Sequence, residues 1–449
     1  MISLLTLLSL SITIFMVMEN KTIVNNSIIH AILSCIVGAI LLSYSYTVSL
    51  FCHVNPKIIQ FILILTCWLY TSLNIKILKK TLQTQFCFTV KTSSWVIGLL
   101  SLLIFTVFFL FFSEKWGAWD AWAIWSLHAK FLTFQDNYIY LFKFTSIYSH
   151  TDYPLMLPSF IASIWSSFNN ISAIVPLLTA FFSSVSLILL SSASLIGKSQ
   201  TKYWILSLVF LCVSPIVYRT GSYQYADTLL ALFFLIPFII LNNTSKLNKY
   251  TLLFLGFFVA SAAFVKNEGI VFFLIFSVLF FFNRKKMNTW YILGAFGPLL
   301  IITYFKIKIA PTNDLIAEQD IGFLSKLFEI KRYGTILLHA VKNLINIHLP
   351  VTLLIISLLI LNFKRLKEFG YNVIFIMLFS YFMVYVLTPK NLEWHLTTSF
   401  GRLIHHVTPA LFYLLILSTI QNKTLNLKIN HLIHVFKLDN ILKQADKDF

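Results

Sequence analysis

The chain has 449 residues, of which 58% are hydrophobic and only 11% charged, and its formal net charge is +18. A soluble domain carries roughly 25% charged residues, so this composition excludes a soluble globular protein and points to an integral membrane protein. The 34 Lys and Arg, against 16 Asp and Glu, are spread along the chain rather than gathered in one patch, which argues against a nucleic-acid partner.

Apolar runs recur from end to end, each near the ~20 residues that a helix needs to cross a bilayer. The alternation of a barrel strand is absent, so helices are the predicted spanning form. Spans are predicted near 1–18, 28–50, 58–75, 95–112, 171–196, 203–218, 225–242, 250–265, 269–283, 290–309, 350–362, 371–388 and 403–420. The expected fold class is therefore an all-α integral membrane protein with about thirteen transmembrane helices. The first run has no basic leader and no small-residue cleavage site, so it reads as a retained helix. Cys35, Cys52, Cys67, Cys87 and Cys212 lie in or beside apolar runs with no CxxC or metal spacing. They read as small core residues.

Basic loops give the orientation, since Lys and Arg favour the cytoplasmic side. Lys76, Lys79, Lys80 and Lys91 share one loop; Lys198 and Lys202 share another. Lys246 and Lys249, then Arg284, Lys285 and Lys286, then Lys364, Arg365 and Lys367, and finally the tail after 421 continue the pattern. With all of these inside, the spans alternate without contradiction from 171 onward, and most acids fall on the outer face. Loop 113–152 is then outside and Lys198 inside, so 156–168 and 171–196 cannot both span. The short run 156–168 is predicted to lie in, or dip into, the outer interface. The remaining outer segments are 219–224, 266–268, 311–349 and 389–402. No internal repeat, low-complexity tract or interdomain linker is visible.

Five polar clusters share that outer face. The break from Glu114 to Lys130 holds four tryptophans and Asp120. On an α-helix Trp119, Trp122 and Trp125 span an arc of roughly 120°, which suits the headgroup layer and leaves Asp120 on another face. An anchor helix with a solvated acid and a catalytic acid both remain open. In His150-Thr-Asp152-Tyr153-Pro154, Asp152 either caps the following helix or faces Asp120 across a cavity. Lys266-Asn-Glu268-Gly269 is a tight turn between two spans, and ionisable residues at such depth are functional candidates or mutual ion pairs. Arg219 and Asp227 flank another turn. Arg402, with His405 and His406 on the same helix face, follows Glu393 and His395. Arginine suits bidentate phosphate binding, and headgroup contact is the plainer alternative for these last two sites. Together the clusters fit an enzyme acting on a lipid-linked phosphate better than a channel.

These elements, in this order, resemble the GT-C superfamily of polytopic glycosyltransferases. They are similar to the dolichyl-phosphate-mannose–protein mannosyltransferase and aminoarabinose-transferase group. The matching features are Trp119-Asp120, His150 to Pro154, Tyr225-Ala-Asp227, Lys266 to Gly269, and Arg402 before a last helix with Pro409, over roughly residues 95–420. The resemblance implies a GT-C-like core at 95–420, with interfacial helices in outer loop 113–152. Residues 1–94 are then extra N-terminal helices and 421–449 a basic cytoplasmic tail. It implies transfer of a sugar from a polyprenyl-phosphate donor to a glycan, lipid or protein acceptor, at the periplasmic face of a bacterial inner membrane. Carried over by position, Asp120 would be the general base and Asp152 a second catalytic acid that orients the acceptor. Lys266, Arg402, His405 and Arg219 would hold the donor phosphate, and His150, Tyr153, Asp227 and Glu268 would line the substrate site. The implied partners are that donor, membrane lipids and the acceptor, and no nucleic acid.

One departure, the question of a metal and two alternatives qualify the resemblance. Protein mannosyltransferases carry an Asp-Glu pair, whereas Ala121 follows Asp120 here, which speaks against a protein acceptor. Some GT-C enzymes bind a divalent metal through such acids; no metal or other cofactor is expected here. A glycan polymerase or ligase would use the same face with a lipid-diphosphate donor. A flippase or transporter of lipid-linked sugar would favour repeated halves and charges at mid-membrane. An outer cavity joining Asp120, Lys266 and Arg402 is what the transferase expects and the transporter does not.

Overall fold

The computed structural model describes residues 1–24, 26–77, 79, 92–144, 149–196, 202–244, 246–284, 288–319, 322–346 and 349–422. Among them all regular structure is helical. In chain order the helices are α1 (Ile2–Lys21), α2 (Ser27–Phe51), α3 (Pro56–Leu73) and α4 (Thr92–Phe112). The polar break carries α5 (Leu127–Thr133) and α6 (Tyr140–Phe144). Then come α7 (Met156–Phe168), α8 (Ile174–Ala193), α9 (Lys202–Val213), α10 (Pro215–Ser222), α11 (Ala226–Asn242), α12 (Lys249–Ser261), α13 (Asn267–Arg284) and α14 (Thr289–Lys308). The last are α15 (Asp314–Ala317), α16 (Ile330–Asn346), α17 (Leu349–Leu361), α18 (Phe369–Leu387) and α19 (Leu392–Gln421).

Eight of these, α1 to α4, α8, α14, α18 and α19, are long and apolar enough to cross a membrane. Helices α9 and α10 meet at a bend of 49° and would make a ninth as one broken span. The bend has a local cause: Ser214 precedes Pro215, and proline drives its predecessor out of the helical region, here to ψ 117°. Helices α11, α12, α13 and α17 occupy the other expected spans but are shorter, so the count of thirteen rests on them.

Helix α11 is the centre of the bundle. It is buried along almost its whole length and packs against α8, α12 and α19. Helix α19 is likewise buried from His405 to Thr419. Two helices with so little exposed surface are inner elements of a bundle, whereas α3 and α4 keep broad exposed apolar faces of the kind that lipid covers.

Side-chain hydrogen bonds sort the bundle into two ends. At one end Ser3 Oγ donates to Ser163 O (2.8 Å), Thr47 Oγ1 to Ser159 Oγ (2.8 Å) and Tyr46 Oη to Leu132 O (3.0 Å), so α7 lies across the start of α1 and the end of α2. At the other end Thr244 Oγ1 donates to Ile23 O (2.9 Å) and Arg365 Nη1 to Ser418 O (3.1 Å). Lys246, Lys249 and Lys364 belong to this second end, while Asp227 in the first turn of α11, Lys266 just before α13 and Arg402 in the N-terminal half of α19 belong to the first. Lys80, Lys91, Lys198, Lys285, Lys286, Cys87 and the tail lie outside the described residues.

Two expectations are corrected. Segment 311–349, read as an outer polar stretch, contains the amphipathic helix α16, whose side toward α18 and α19 is half-buried while Leu337, Leu338 and Val341 are exposed. Cys35 and Cys52 are exposed rather than core residues, whereas Cys67 and Cys212 are buried.

Helices α12 and α14 approach closely through two glycines. A Cβ on Gly256 would sit 2.0 Å from Tyr291 O, and one on Gly294 2.0 Å from Leu253 O. Small residues let membrane helices pack backbone to backbone, and extra atoms there force them apart at a cost of typically 1–3 kcal/mol. Gly256→Val and Gly294→Val are therefore expected to lower the thermal midpoint in detergent. Gly297→Val on α14, with nothing within 4 Å of its Cβ position, is expected to leave it unchanged. Equal midpoints for all three would contradict this packing.

Candidate functional site

The Asp120 segment is built around Gly117, which has φ 73° and would place a Cβ 2.6 Å from Tyr223 O. Ala118 N donates to Tyr223 O (3.2 Å) and Gln224 Nε2 to Glu114 O (2.8 Å), so the segment is tied to the turn after α10. Residues Ala121–Ser126 then form a π-helix rather than an α-helix. The wider i→i+5 turn breaks the expected tryptophan arc. Trp119 and Trp122 remain exposed, but Trp125 is buried and stacks on Tyr153 with ring centroids 5.6 Å apart. One of the three presumed anchors is thus a wall of the site.

Asp120 sits at the start of that turn and forms an ion pair with Arg402 Nη1 of α19. The Arg402 guanidinium lies over the Tyr225 ring at 5.3 Å, and the Tyr225 hydroxyl accepts from Asp120 N (3.4 Å). Behind this pair is a buried network. Lys266 Nζ lies 2.9 Å from Asp227 Oδ1 and 3.3 Å from Glu268 Oε1. His406 Nε2 is 2.7 Å from the same Asp227 oxygen, and Tyr381 Oη is 3.1 Å from His406 Nδ1. The consistent tautomer has Nε2–H donating to the carboxylate and Nδ1 accepting from tyrosine. Burial opposes charge on Lys266, but Asp227 and Glu268 outweigh it and hold its ammonium above the ordinary value.

A second polar centre adjoins the first through one tripeptide. Lys266 and Glu268 belong to the first, while Asn267 between them donates to Asp152 Oδ2 (2.7 Å). Asn313 donates to the same oxygen (2.7 Å), and Lys306 donates to Asn267 Oδ1 (2.6 Å). Asp152 therefore neither caps α7, whose N-cap is Leu155 without a side-chain bond, nor stands free opposite Asp120. It is a buried, saturated acceptor that fixes the loop. At the rim, Lys390 bridges Asp314 (3.4 Å) and Glu318 (2.6 Å), and His150 lies 3.8 Å from Asp314. Tyr153 joins both centres: it stacks on His150 at 5.0 Å and lies under Lys266 at 5.6 Å. Burial, then the charges of Glu268 and Asp152, push its phenol well above the ordinary value.

The remaining predicted residues divide. His405 is buried, 3.1 Å from Thr228 Oγ1, beside Asp227. Arg219 is not brought to the site; it is exposed, with its guanidinium 4.8 Å over Phe112. Sequence reasoning missed Lys306, Asn313, Asp314 and Lys390, and the pairing of Asp120 with Arg402. Lys306 ends an apolar span and reads as an ordinary flanking lysine, and the other three sit in segments read only as polar loops.

His150, Asp152 and Asp314 could each offer a ligand atom within 4.8 Å of one another. The donor set fits a divalent ion poorly. Asp152 Oδ2 already accepts from two asparagines, Lys306 Nζ is 3.7 Å from it, and Lys390 Nζ is 3.4 Å from Asp314. A metal would share the space with two ammonium groups.

An apolar groove of about 130 Å³ lies between α16, α18 and α19; its lining includes none of Asp120, Lys266 and Arg402, so it is not the outer cavity expected to join them. Ile336 and Ala340 form one wall, Tyr381 and Tyr385 another, and Leu403, the neighbour of Arg402, a third. Arg332 fastens α16 there, donating from Nε to Val386 O (2.9 Å) at the end of α18. No family model, curated protein or solved structure matches the chain.

Two expected outcomes follow from this geometry. Removing one partner of a buried ion pair costs about 3–5 kcal/mol. Lys266→Met is therefore expected to destabilise strongly, and the double variant with Asp227→Asn less than the two single losses added; a thermal double-mutant cycle that is additive would contradict the pairing. His128 is fully buried, with Nε2 2.8 Å from Ser149 O, and burial lowers its pKa from 6.5 to about 4. Its neutral form is the native one, so its contribution is intact above pH 6.5 and is lost as pH falls toward 4. His128→Gln is expected to flatten the stability–pH curve across that window, and an unchanged slope would contradict it.

Proposed function

We propose that the protein is a polytopic membrane glycosyltransferase that moves a sugar from a polyprenyl-phosphate donor to an acceptor hydroxyl. One observation carries this reading. An acid–arginine pair, Asp120 and Arg402, is backed by Lys266, and Leu403, the residue after Arg402, lines an apolar groove. A phosphate on a long hydrocarbon tail needs that combination: a guanidinium for the head and a dry groove for the chain. The ends of the bundle agree with it. Among the described residues Lys246, Lys249 and Lys364 lie at the end away from the site, which by the positive-inside rule supports a site facing outward, toward the periplasm in a bacterial inner membrane.

In this reading Arg402 neutralises the phosphate as it departs, where negative charge accumulates. Asp120 takes the proton of the acceptor hydroxyl as its oxygen bonds to the sugar carbon. Lys266 keeps Asp227 and Glu268 charged and in place. Asp227 Oδ2 and Glu268 Oε2 are buried without a hydrogen-bond partner. Tyr153, stacked between Trp125 and His150, holds the loop of Asp152 against this network. Asp152 becomes a positioning residue rather than a second catalytic acid. The acceptor class stays a glycan, a lipid or a protein, with Ala121 weighing against a protein.

A second reading draws on a different observation. The charged groups pack on one another, and Asp227 and Lys266 are 1% and 5% exposed rather than lining an open polar cavity. A transporter or flippase of lipid-linked sugar, caught closed, would hold its charges in this way. A transfer assay separates the two. Asp120→Asn is expected to fold, by unchanged gel filtration and thermal midpoint, and to lose transfer from a labelled polyprenyl-phosphate sugar by at least about 100-fold. Wild-type transfer by that variant would contradict the assignment. Transfer only from a diphosphate-linked glycan would indicate a polymerase or ligase.

A further inference from the structure

The cations of the site are all engaged. Lys266 has Asp227 and Glu268, Lys306 has Asp152, Lys390 has Asp314 and Glu318, and Arg402 has Asp120. An incoming anion therefore meets every one of these cations with a carboxylate already against it. The pairs differ in how readily they give one up. Lys266 and Asp227 are 5% and 1% exposed and share His406. Arg402 and Asp120 are 24% and 20% exposed, and only Nη1 of the arginine is used. Arg402 Nε is buried with no hydrogen-bond partner. A guanidinium grips an oxyanion through two parallel N–H groups, so a two-pronged anion outcompetes the single contact that Asp120 makes.

We propose that the donor phosphate and the Asp120 carboxylate compete for Arg402, so that donor binding itself releases Asp120 for chemistry. This rests on the transferase reading above. The backbone is built for a side-chain exchange and not a loop movement. Ala118 N is bonded to Tyr223 O and Asp120 N to the Tyr225 hydroxyl, and Tyr225 also lies beneath Arg402. The arginine keeps its place while the short aspartate side chain rotates away. Without donor, Asp120 is masked and abstracts no proton. With donor, its carboxylate is released from Arg402 and is free to meet the acceptor hydroxyl. The step then balances. The acceptor O–H proton passes to Asp120, the acceptor oxygen bonds to the anomeric carbon, and the carbon–oxygen bond to phosphate breaks with its electron pair on the phosphate held by Arg402. Donor precedes acceptor, and an acceptor alone meets an inactive base.

Equilibrium binding of a long-chain polyprenyl monophosphate to the full-length protein in nanodiscs tests this, with inorganic phosphate as the headgroup-only arm. Asp120→Asn is expected to bind the lipid phosphate roughly threefold to tenfold more tightly than wild type, because the competitor is gone. Asp120→Glu, which keeps a competing carboxylate, is expected to stay near wild type and guards against a folding artefact. Arg402→Gln is expected to lose binding. Wild-type binding that depends on Arg402 but is unchanged or weakened in Asp120→Asn overturns the exchange and leaves the transferase reading standing. No binding by wild type overturns the reading of the site, and the exchange with it. Equal tightening toward inorganic phosphate assigns the competition to the phosphate head, and tightening seen only with the lipid assigns it to the head together with the groove.

Discussion

Asp227 stands in the first turn of the most buried helix of the bundle, and a carboxylate there persists only with a cation held against it. Lys266 supplies that cation from the turn between α12 and α13, and His406 supplies a hydrogen bond from α19. Three elements distant in sequence are thereby fixed to one another at one end of the molecule. The consequences spread outward from that point. Glu268 is drawn to the other side of Lys266, Asn267 is turned toward Asp152, and Arg402 is presented one helical turn before His406.

The second polar centre behaves as scaffold. Asp152 is saturated by asparagines from two loops and by a lysine, and the stack of Trp125, Tyr153 and His150 runs along its edge. This buried network cross-links several elements, and it leaves the more exposed Asp120–Arg402 pair as the adjustable one. Leu403, the residue after Arg402, lines the apolar groove. Cross-linked support, one loosely held ion pair and a dry channel together form a site suited to an amphiphilic anion.

Much of the fold was legible because a bilayer demands long apolar runs, and this chain has little else. The predicted spans fall on helices, with 203–218 broken at Pro215, and Lys246, Lys249 and Lys364 lie at the end away from Asp120, Lys266 and Arg402. Asp120, Lys266 and Arg402 stood out for a related reason, since charges are costly in such a chain. What did not show was pairing. Asp120 and Arg402 are 282 residues apart, and nothing local to either announces the other. The π-helical turn was hidden because Ala121 to Ser126 reads equally well as α-helix, and it reversed the role of Trp125. Helix α16 carried a visible apolar period, Ile336, Leu337, Ala340 and Val341, but Lys331, Arg332 and Lys342 broke the run that a span would need. Asp152 looked like a cap because of where it lies before α7, and only the asparagines of two distant loops show why it faces elsewhere.

The most direct test of the account is a structure of the protein with a polyprenyl monophosphate bound. The account places the phosphate on Arg402 in place of Asp120, with Asp120 turned away and the hydrocarbon chain between α16, α18 and α19. A phosphate bound elsewhere, with the Asp120–Arg402 pair intact and the groove empty, would contradict it.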